Sequence, residues 1–220
     1  SLKRRFLTDW KVGFDVVGER HVRLAGIVDV GVRAERGDLD GAERPVATVA
    51  VRAALERAGV GGGQIGHVVM GHVINTEPRD MYLARVAAMQ AGVPETVPAM
   101  NVNRLCGSGA QAIVSAVQAL ALGDAEFALA GGAECMSRSP YALTAARWGQ
   151  KMGDTKAVDM MTGALTCPFG TGHMGVTAEN VAREHGVTRA DQDAFALESQ
   201  VRAARAIAEG LERVDPQGAA

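Results

Sequence analysis

Ala99-Met100-Asn101-Val102-Asn103-Arg104-Leu105-Cys106-Gly107-Ser108-Gly109-Ala110 passes from a strand signal into a helix signal, with a cysteine at the turn between them. Ala99 to Leu105 reads as a short apolar strand, and Gly107 to Leu122 as a helix without a charged residue. The alternation continues on both sides. Upstream, Val46, Val49, Ala50, Ala53, Ala54 and Ala58 mark a helical stripe that Pro45 can open and Gly59 can close. His67 to Met70 is an apolar strand, and Met81 to Ala91 a helix stopped by Gly92 and Pro94. Downstream, Ala125 to Ala130 is a further strand ending at Gly131-Gly132. Strands alternating with helices predict βαβ units and a mostly parallel sheet covered on both faces.

The flanks are less regular. Residues 1 to 45 carry mixed charge, turn-like Gly37-Asp38 and Asp40-Gly41 pairs, and strand character only from Val22 to Val32. A domain boundary is expected near residue 136, giving segments 1–45, 46–135 and 136–220; beyond it the chain is loop-rich, with Trp148 and the cations Arg138, Arg147, Lys151 and Lys156. Thr188-x-x-Asp191 looks like a capping box opening a helix whose apolar face is Ala194, Leu197, Val201, Ala204 and Ala208, closed by Gly210. The tail from Asp215 to Ala220 is expected to fray.

Composition narrows the class. The 220 residues can bury a core without disulfides or metal. With 23 Lys and Arg against 25 Asp and Glu spread along the chain, nothing reads as a nucleic-acid binder. Hydrophobic residues make up 47% and charged ones 22%, which excludes a disordered or fibrous chain. Cys106, Cys135 and Cys167 lie far apart with no C-x-x-C pair, so neither a disulfide framework nor a metal site is expected, and a reducing cytoplasm is the simplest home. Lys3-Arg4-Arg5-Phe6-Leu7 is similar to a twin-arginine export signal, but Asp9, Lys11, Asp15 and Glu19 interrupt the apolar region it needs, and no targeting segment is read. The uncharged run from Leu105 to Gly123 is long enough to suggest a membrane span; its Gly, Ser and Gln residues favour a helix buried on all sides in a soluble core. Gly61-x-Gly63-x-x-Gly66 matches the dinucleotide fingerprint by letter, yet it follows a helix and precedes a strand, the reverse of the required context.

Cys106 is the candidate for chemistry. A cysteine between a strand and a helix N-terminus has oriented backbone N–H groups and the helix dipole to favour negative charge on sulfur, and neighbouring glycines let a substrate carbonyl approach. It is the cysteine counterpart of a nucleophile elbow. The same spacing also fits a small buried hydrophobe in a tight turn.

Asn101-Val102-Asn103-Arg104-Leu105-Cys106-Gly107-Ser108-Gly109, followed by Ala130-Gly131-Gly132-Ala133-Glu134, resembles the nucleophile region of the thiolases, the acetyl-CoA acetyltransferases. Lys151-Met152-Gly153-Asp154 and Gly172-His173-Met174-Gly175-Val176-Thr177-Ala178-Glu179-Asn180-Val181-Ala182 are similar to further blocks of that family. The run from Gly71 to Leu83 looks most like the bacterial β-ketothiolases that supply 3-ketoacyl-CoA for polyhydroxyalkanoate synthesis. The resemblance covers residues from about 46 to 212.

The resemblance implies an α/β thiolase-like fold of layered αβαβα type. This chain would supply the N-terminal nucleophile domain and part of the CoA-binding loop domain, with the family's C-terminal half absent. It makes Cys106 the nucleophile that takes an acetyl group from acetyl-CoA, with its backbone N–H in the oxyanion hole. Leu165, His173 and Met174 align with positions lining the pantetheine channel, although His173 alone would read as a capping or core histidine. Claisen condensation to a 3-ketoacyl-CoA, or its thiolysis, would follow. Substrates are acetyl-CoA and short acyl-CoA thioesters, no cofactor is permanently bound, and a homo-oligomer without nucleic acid or membrane partners is implied.

The departures set the alternatives. Residues 21 to 45 lack the family's Arg-Thr-Pro-like turn, so an altered or missing first strand is expected. None of His21, His67, His72, His173 or His185 lies in the G-H-P context of the family's general base, which belongs, with the C-x-G-G-G cysteine, to the C-terminal half. Cys135 stands where serine is usual and Cys167 where an acidic residue is usual. Glu179 reads as a first-turn helix residue rather than an acid catalyst, and the four loop cations as a solvated face or contacts to CoA phosphates. One alternative is a catalytically incomplete thiolase fragment that only binds CoA or another subunit. Another is a ketoacyl synthase, against which the His-Met-Gly and Thr-Ala-Glu-Asn block argues. A sheet lacking its partner half would expose an apolar patch, predicting self-association.

Overall fold

The computed structural model describes residues 13–14, 22–25, 29–31 and 43–209. The predicted turns at residues 37–41, the stop at Gly210 and the tail lie outside these. Two compact units divide after Pro140.

The first unit is built on a mainly parallel sheet. Its strands are β1 (Gly13–Phe14), β2 (Val22–Ala25), β3 (Asp29–Gly31), β4 (His67–Gly71), β5 (Ala99–Val102) and β6 (Phe127–Glu134); the helices are α1 (Glu43–Ala58), α2 (Leu83–Gln90) and α3 (Ser108–Leu122). The order is β1-β2-β6-β4-β5. β1 runs antiparallel to β2, and the other pairs are parallel. The strand character expected at Val22 to Val32 resolves into β2 and β3, which pair with successive parts of β6, Arg23 opposite Phe127 and Asp29 opposite Gly132. A strand therefore stands beside β6 in the segment where an altered or missing one was expected.

Period-two alternation separates two cores. Val68 and Met70 of β4, with Leu129 and Ala133 of β6, face Ala47, Val51 and Leu55 of α1 and Leu83, Ala84 and Ala87 of α2. Val69, Ala128 and Ala130 face Ala112, Ala116 and Leu120 of α3 on the other side. Alanines on both the helix and the strands let α3 lie close to the sheet. A chain poor in aromatics packs to density in this way.

Several elements depart from their sequence reading. The buried face of α1 is Ala47, Ala50, Val51, Ala54 and Leu55, with Ala58 exposed. Alanines lie on more than one side of α1, and packing selected a stripe rotated from the expected one. The predicted helix from Met81 begins as a 3₁₀ turn over Pro78–Tyr82 that leaves Met81 exposed. α3 is not buried on all sides: Ser108, Ala112, Ala116, Ala119 and Leu120 are buried, while Val114 is 48% and Leu122 78% exposed. Absence of charge permitted burial there without requiring it. β6 does not stop at the Gly131-Gly132 pair, because a Cβ on Gly132 would lie 3.0 Å from the Gly71 carbonyl oxygen, so glycine marks close strand approach. Gly62–Gln64 forms a 3₁₀ turn between α1 and β4, which removes the dinucleotide reading.

The second unit contains the hairpins β7 (Tyr141–Leu143) with β8 (Ala157–Asp159) and β9 (Thr166–Cys167) with β10 (Gly172–His173), and the helices α4 (Met160–Ala164), α5 (Met174–His185) and α6 (Arg189–Ala208). Glu179 falls in the second turn of α5 rather than the first. Leu197 and Val201 on the expected apolar face of α6 are 67% and 54% exposed.

The capping box at Thr188 forms as read. The Thr188 hydroxyl and N–H both donate to Asp191 Oδ2, and the Asp191 N–H donates to Thr188 Oγ1 at 3.2 Å. The Thr188 hydroxyl, then its N–H, hold the Asp191 carboxyl below its usual range. Ionised Asp191 therefore favours the folded helix above the unfolded carboxylate pKa of about 3.9, and this support fades as pH falls through the lower folded value. Thr188→Ala is expected to reduce helicity at neutral pH, with the gap to wild type closing in acid. Far-UV circular dichroism against pH checks this, and a gap constant down to the acid limit contradicts it.

Candidate active site

Cys106 lies in the turn between β5 and α3 and is exposed. The burial alternative for this cysteine is thereby removed. The turn is shaped by the residue before it: Leu105 has φ +49°, the one non-glycine residue at positive φ among the described residues. Such a conformation costs on the order of 1 kcal/mol or more for a side chain of this type. In this elbow the strain falls on the residue before Cys106.

Hydrogen bonds close the turn. Gly107 N–H donates to the Arg104 carbonyl at 3.1 Å, and Ser108 N–H to the Leu105 carbonyl at 2.9 Å. The buried Ser108 hydroxyl accepts from Arg104 N–H at 2.9 Å and donates to the Leu105 carbonyl at 2.6 Å. Asn103 Oδ1 accepts from Leu105 N–H at 3.0 Å, and Asn103 Nδ2 donates to the Val73 carbonyl at 3.3 Å.

Below the turn, the first residues of α3 rest on the end of β4. An ideal Cβ on Gly71 would lie 2.7, 2.8 and 2.9 Å from Ser108 C, Gly109 N and Ser108 O. The loop after β4 is tied to β6 as well, since Glu134 accepts from the Val73 and Ile74 N–H groups at 2.9 and 3.0 Å. Buried His72 places Nδ1 2.9 Å from the Ala133 carbonyl; because a carbonyl only accepts, Nδ1 carries the proton. Buried Asp80 accepts at one carboxylate oxygen from Thr76 N–H, Thr76 Oγ1 and Glu77 N–H, holding the loop onward to α2. Asn101 accepts from Ala84 N–H at 2.9 Å and donates to the Asp80 carbonyl at 2.9 Å, joining the start of α2 and the loop before it to β5. A cleft of about 230 Å³ opens here, lined by His72, Val73, Asn75, Met81, Asn101, Val102 and Asn103. It lies at the carboxyl ends of β4 and β5, where open α/β sheets bind ligands.

Leu165, His173 and Met174 come together within the second unit. Met174 N–H donates to the Leu165 carbonyl at 2.8 Å across the β9–β10 hairpin. His173 is exposed and caps α5, its Nδ1 accepting from Gly175 N–H at 3.1 Å. The capping role open to it from sequence is thus realised, with Nε2 left for another partner.

The other cysteines have different surroundings. Cys135 is buried, with Sγ 3.5 Å from Ser137 Oγ. At Cys167 the Thr171 hydroxyl, followed by the N–H groups of Thr171, Phe169 and Gly170, pulls the thiol below its usual range. A loop that favours an anion suits the acidic residue usual at this position in the resembling family. Alkylation of Cys167 is accordingly expected to set in at lower pH than for an ordinary thiol, and Thr171→Val to move its midpoint upward. Mass mapping of the Cys167 peptide against pH reads the shift, and coincident profiles would refute it.

Sequence alone singled out Cys106 but not its supports: His72 and Glu134 have partners 61 residues away, Asn103 bonds Val73 30 residues away, and the Ser108 bonds to Arg104 and Leu105, though local, carry no pattern that marks them. Among the described residues no group of three or more His, Cys, Asp and Glu is placed to hold a metal ion.

Comparison with known proteins agrees with this geometry. Residues 37–214 match the family described as thiolase, N-terminal domain. The beta-ketothiolase of Cupriavidus necator is 57% identical over 189 residues, covering 84% of this chain and 48% of the relative. The human mitochondrial 3-ketoacyl-CoA thiolase, solved in complex with CoA, superposes with a TM-score of 0.73 at 37% identity, covering 78% of this chain and 44% of that one. The Bacillus anthracis acetyl-CoA acetyltransferase gives a TM-score of 0.72 at 38% identity, with 78% and 43% covered. The chain spans about half the length of the curated relatives it matches. On the sheet order, the Cys106 turn and these matches together, the chain belongs to the thiolase family.

Proposed function

We propose that the chain is the nucleophile-bearing part of an acyl-CoA C-acyltransferase, with Cys106 as the acyl acceptor. The observation that carries this reading is the exposed Cys106 at the start of α3, beyond the carboxyl end of a parallel sheet and next to a strained Leu105. In the first half-reaction Cys106 Sγ attacks the carbonyl carbon of acetyl-CoA. The new carbon–sulfur bond to Cys106 replaces the one to CoA, whose sulfur leaves as thiolate and takes the proton Cys106 has lost. Backbone N–H groups at the start of α3, that of Cys106 included, support the oxyanion of the tetrahedral intermediate. A second acetyl-CoA that has lost a proton from its α-carbon then forms the new carbon–carbon bond to the acetyl carbonyl as the thioester bond to Cys106 breaks and the released sulfur takes up a proton, or free CoA thiolyses a 3-ketoacyl-CoA in reverse.

Leu165, His173 and Met174 serve the pantetheine arm in this reading, His173 through the Nε2 that its capping bond leaves over. Substrates are acetyl-CoA and short acyl-CoA thioesters, the setting is cytoplasmic, and the functional form is a homo-oligomer. The rival reading is a catalytically incomplete thiolase fragment that binds CoA or another subunit without turnover. Incubation of the 220-residue chain with acetyl-CoA, read by intact mass, separates the two. An acetyl adduct located at Cys106 supports acyl transfer. Its absence from a folded chain supports the fragment.

A further inference from the structure

We infer that Asn103 is a positioning residue for the nucleophile, holding Leu105 in the left-handed conformation that presents Cys106; this rests on Cys106 being the nucleophile. Leu105 has no intrinsic reason to adopt φ +49°, so something must over-determine that conformation. The amide of Asn103 is placed to do so. Its oxygen takes the Leu105 N–H at 3.0 Å, and its nitrogen is fixed to the Val73 carbonyl at 3.3 Å. Val73 is itself immobilised, because Glu134 at the end of β6 accepts its N–H at 2.9 Å and that of Ile74 at 3.0 Å. A continuous path thus runs from β6 through the loop after β4 to the residue preceding Cys106. The Ser108 hydroxyl fixes the far side of the same turn by accepting from Arg104 N–H and donating to the Leu105 carbonyl. Leu105 is therefore gripped at its N–H by Asn103 and at its carbonyl by Ser108.

Leu105 itself is 52% exposed, so its side chain can be removed with little loss of packing. That makes the inference testable by rescue. Asn103→Ala removes both bonds and is expected to slow acetylation of Cys106 by about 10- to 100-fold, the scale of a misplaced reacting group. Asn103→Asp keeps the acceptor for Leu105 N–H and should retain more of the rate. Asn103→Ala combined with Leu105→Gly should recover much of the loss, since glycine enters positive φ without the steric cost. A purely structural role elsewhere would not respond to Leu105→Gly. Hydrogen exchange at the Leu105 amide is an independent reading, and it should accelerate in Asn103→Ala and stay slow in Asn103→Asp. Wild-type acetylation by Asn103→Ala, or a loss that neither Asn103→Asp nor the double variant eases, overturns the inference. If the wild-type chain takes no acetyl group, it is the reading of Cys106 that fails, and the exchange rates still decide whether Asn103 holds the turn. If Asn103→Ala does not fold, Asn103→Asp decides: slow exchange at Leu105 supports the bridge, and fast exchange in a folded variant overturns it.

Discussion

Cys106→Ala is expected to abolish the acetyl adduct that the wild-type chain forms with acetyl-CoA, while leaving the fold intact. Exchange between two thioesters changes little in bond energy, so excess acetyl-CoA should load an assembled nucleophile to a visible fraction. Removing the sulfur removes the acceptor, and the rate should fall on the order of 10⁴-fold or more, as for other covalent nucleophiles. The side chain is exposed, so the unfolding free energy should stay within about 0.5 kcal/mol. Cys167 is the necessary control, because the Thr171 hydroxyl and nearby N–H groups favour its anion and it is partly exposed. Peptide mapping in Cys106→Ala and Cys167→Ser separates the sites. An adduct that survives in Cys106→Ala but not in Cys167→Ser would move the nucleophile to the second unit and refute the assignment.

The legible parts of this fold were those where one local signal sufficed. The strand and helix flanking Cys106, the strand at His67, and the capping box at Thr188 all carry their information within a few residues. The misread parts depended on partners distant in sequence. Nothing near Gly132 says that its neighbour is Gly71, so a glycine pair inside β6 read as the end of a strand. The uncharged α3 read as wholly buried because composition reports tolerance of burial, not the number of faces covered.

The site divides in the same way. Cys106 stood out because a cysteine at a strand-to-helix turn is a local pattern with a chemical reason. Its supports did not, because a single sequence gives no distance between Asn103 and Val73 or between Glu134 and Ile74. The strain at Leu105 was equally invisible, since leucine carries no turn signal. His173 was legible as a cap, the role it takes at α5, while its pantetheine contact is the proposal that the resemblance supplies.

Gly71→Ala should be strongly damaging to the first unit, and it should act on Cys106 without touching it. The three atoms that a Cβ would meet at 2.7 to 2.9 Å are backbone atoms of Ser108 and Gly109, which no rotamer change can withdraw. Relief to an ordinary contact of 3.4 Å requires the first turn of α3 to retreat by about 0.7 Å. Its inner face is held by Ala112 and Ala116 against Val69 and Ala128, so the strain is shared between helix and sheet. Overpacking of this kind costs about 1–3 kcal/mol, read as a lower denaturant midpoint at unchanged slope. A displacement approaching 1 Å at the start of α3 also moves Cys106 and the N–H groups of that turn relative to a thioester held elsewhere in the site, which can lower acetylation about 100-fold. Gly63→Ala is the matched control, because no atom outside its immediate neighbours lies within 4 Å of its Cβ position. It should leave both stability and acetylation nearly unchanged. If Gly71→Ala behaves like Gly63→Ala, the contact between β4 and α3 does not set the nucleophile's position. If Gly71→Ala loses stability but acetylates at the wild-type rate, the first turn of α3 carries Cys106 with it as a rigid piece.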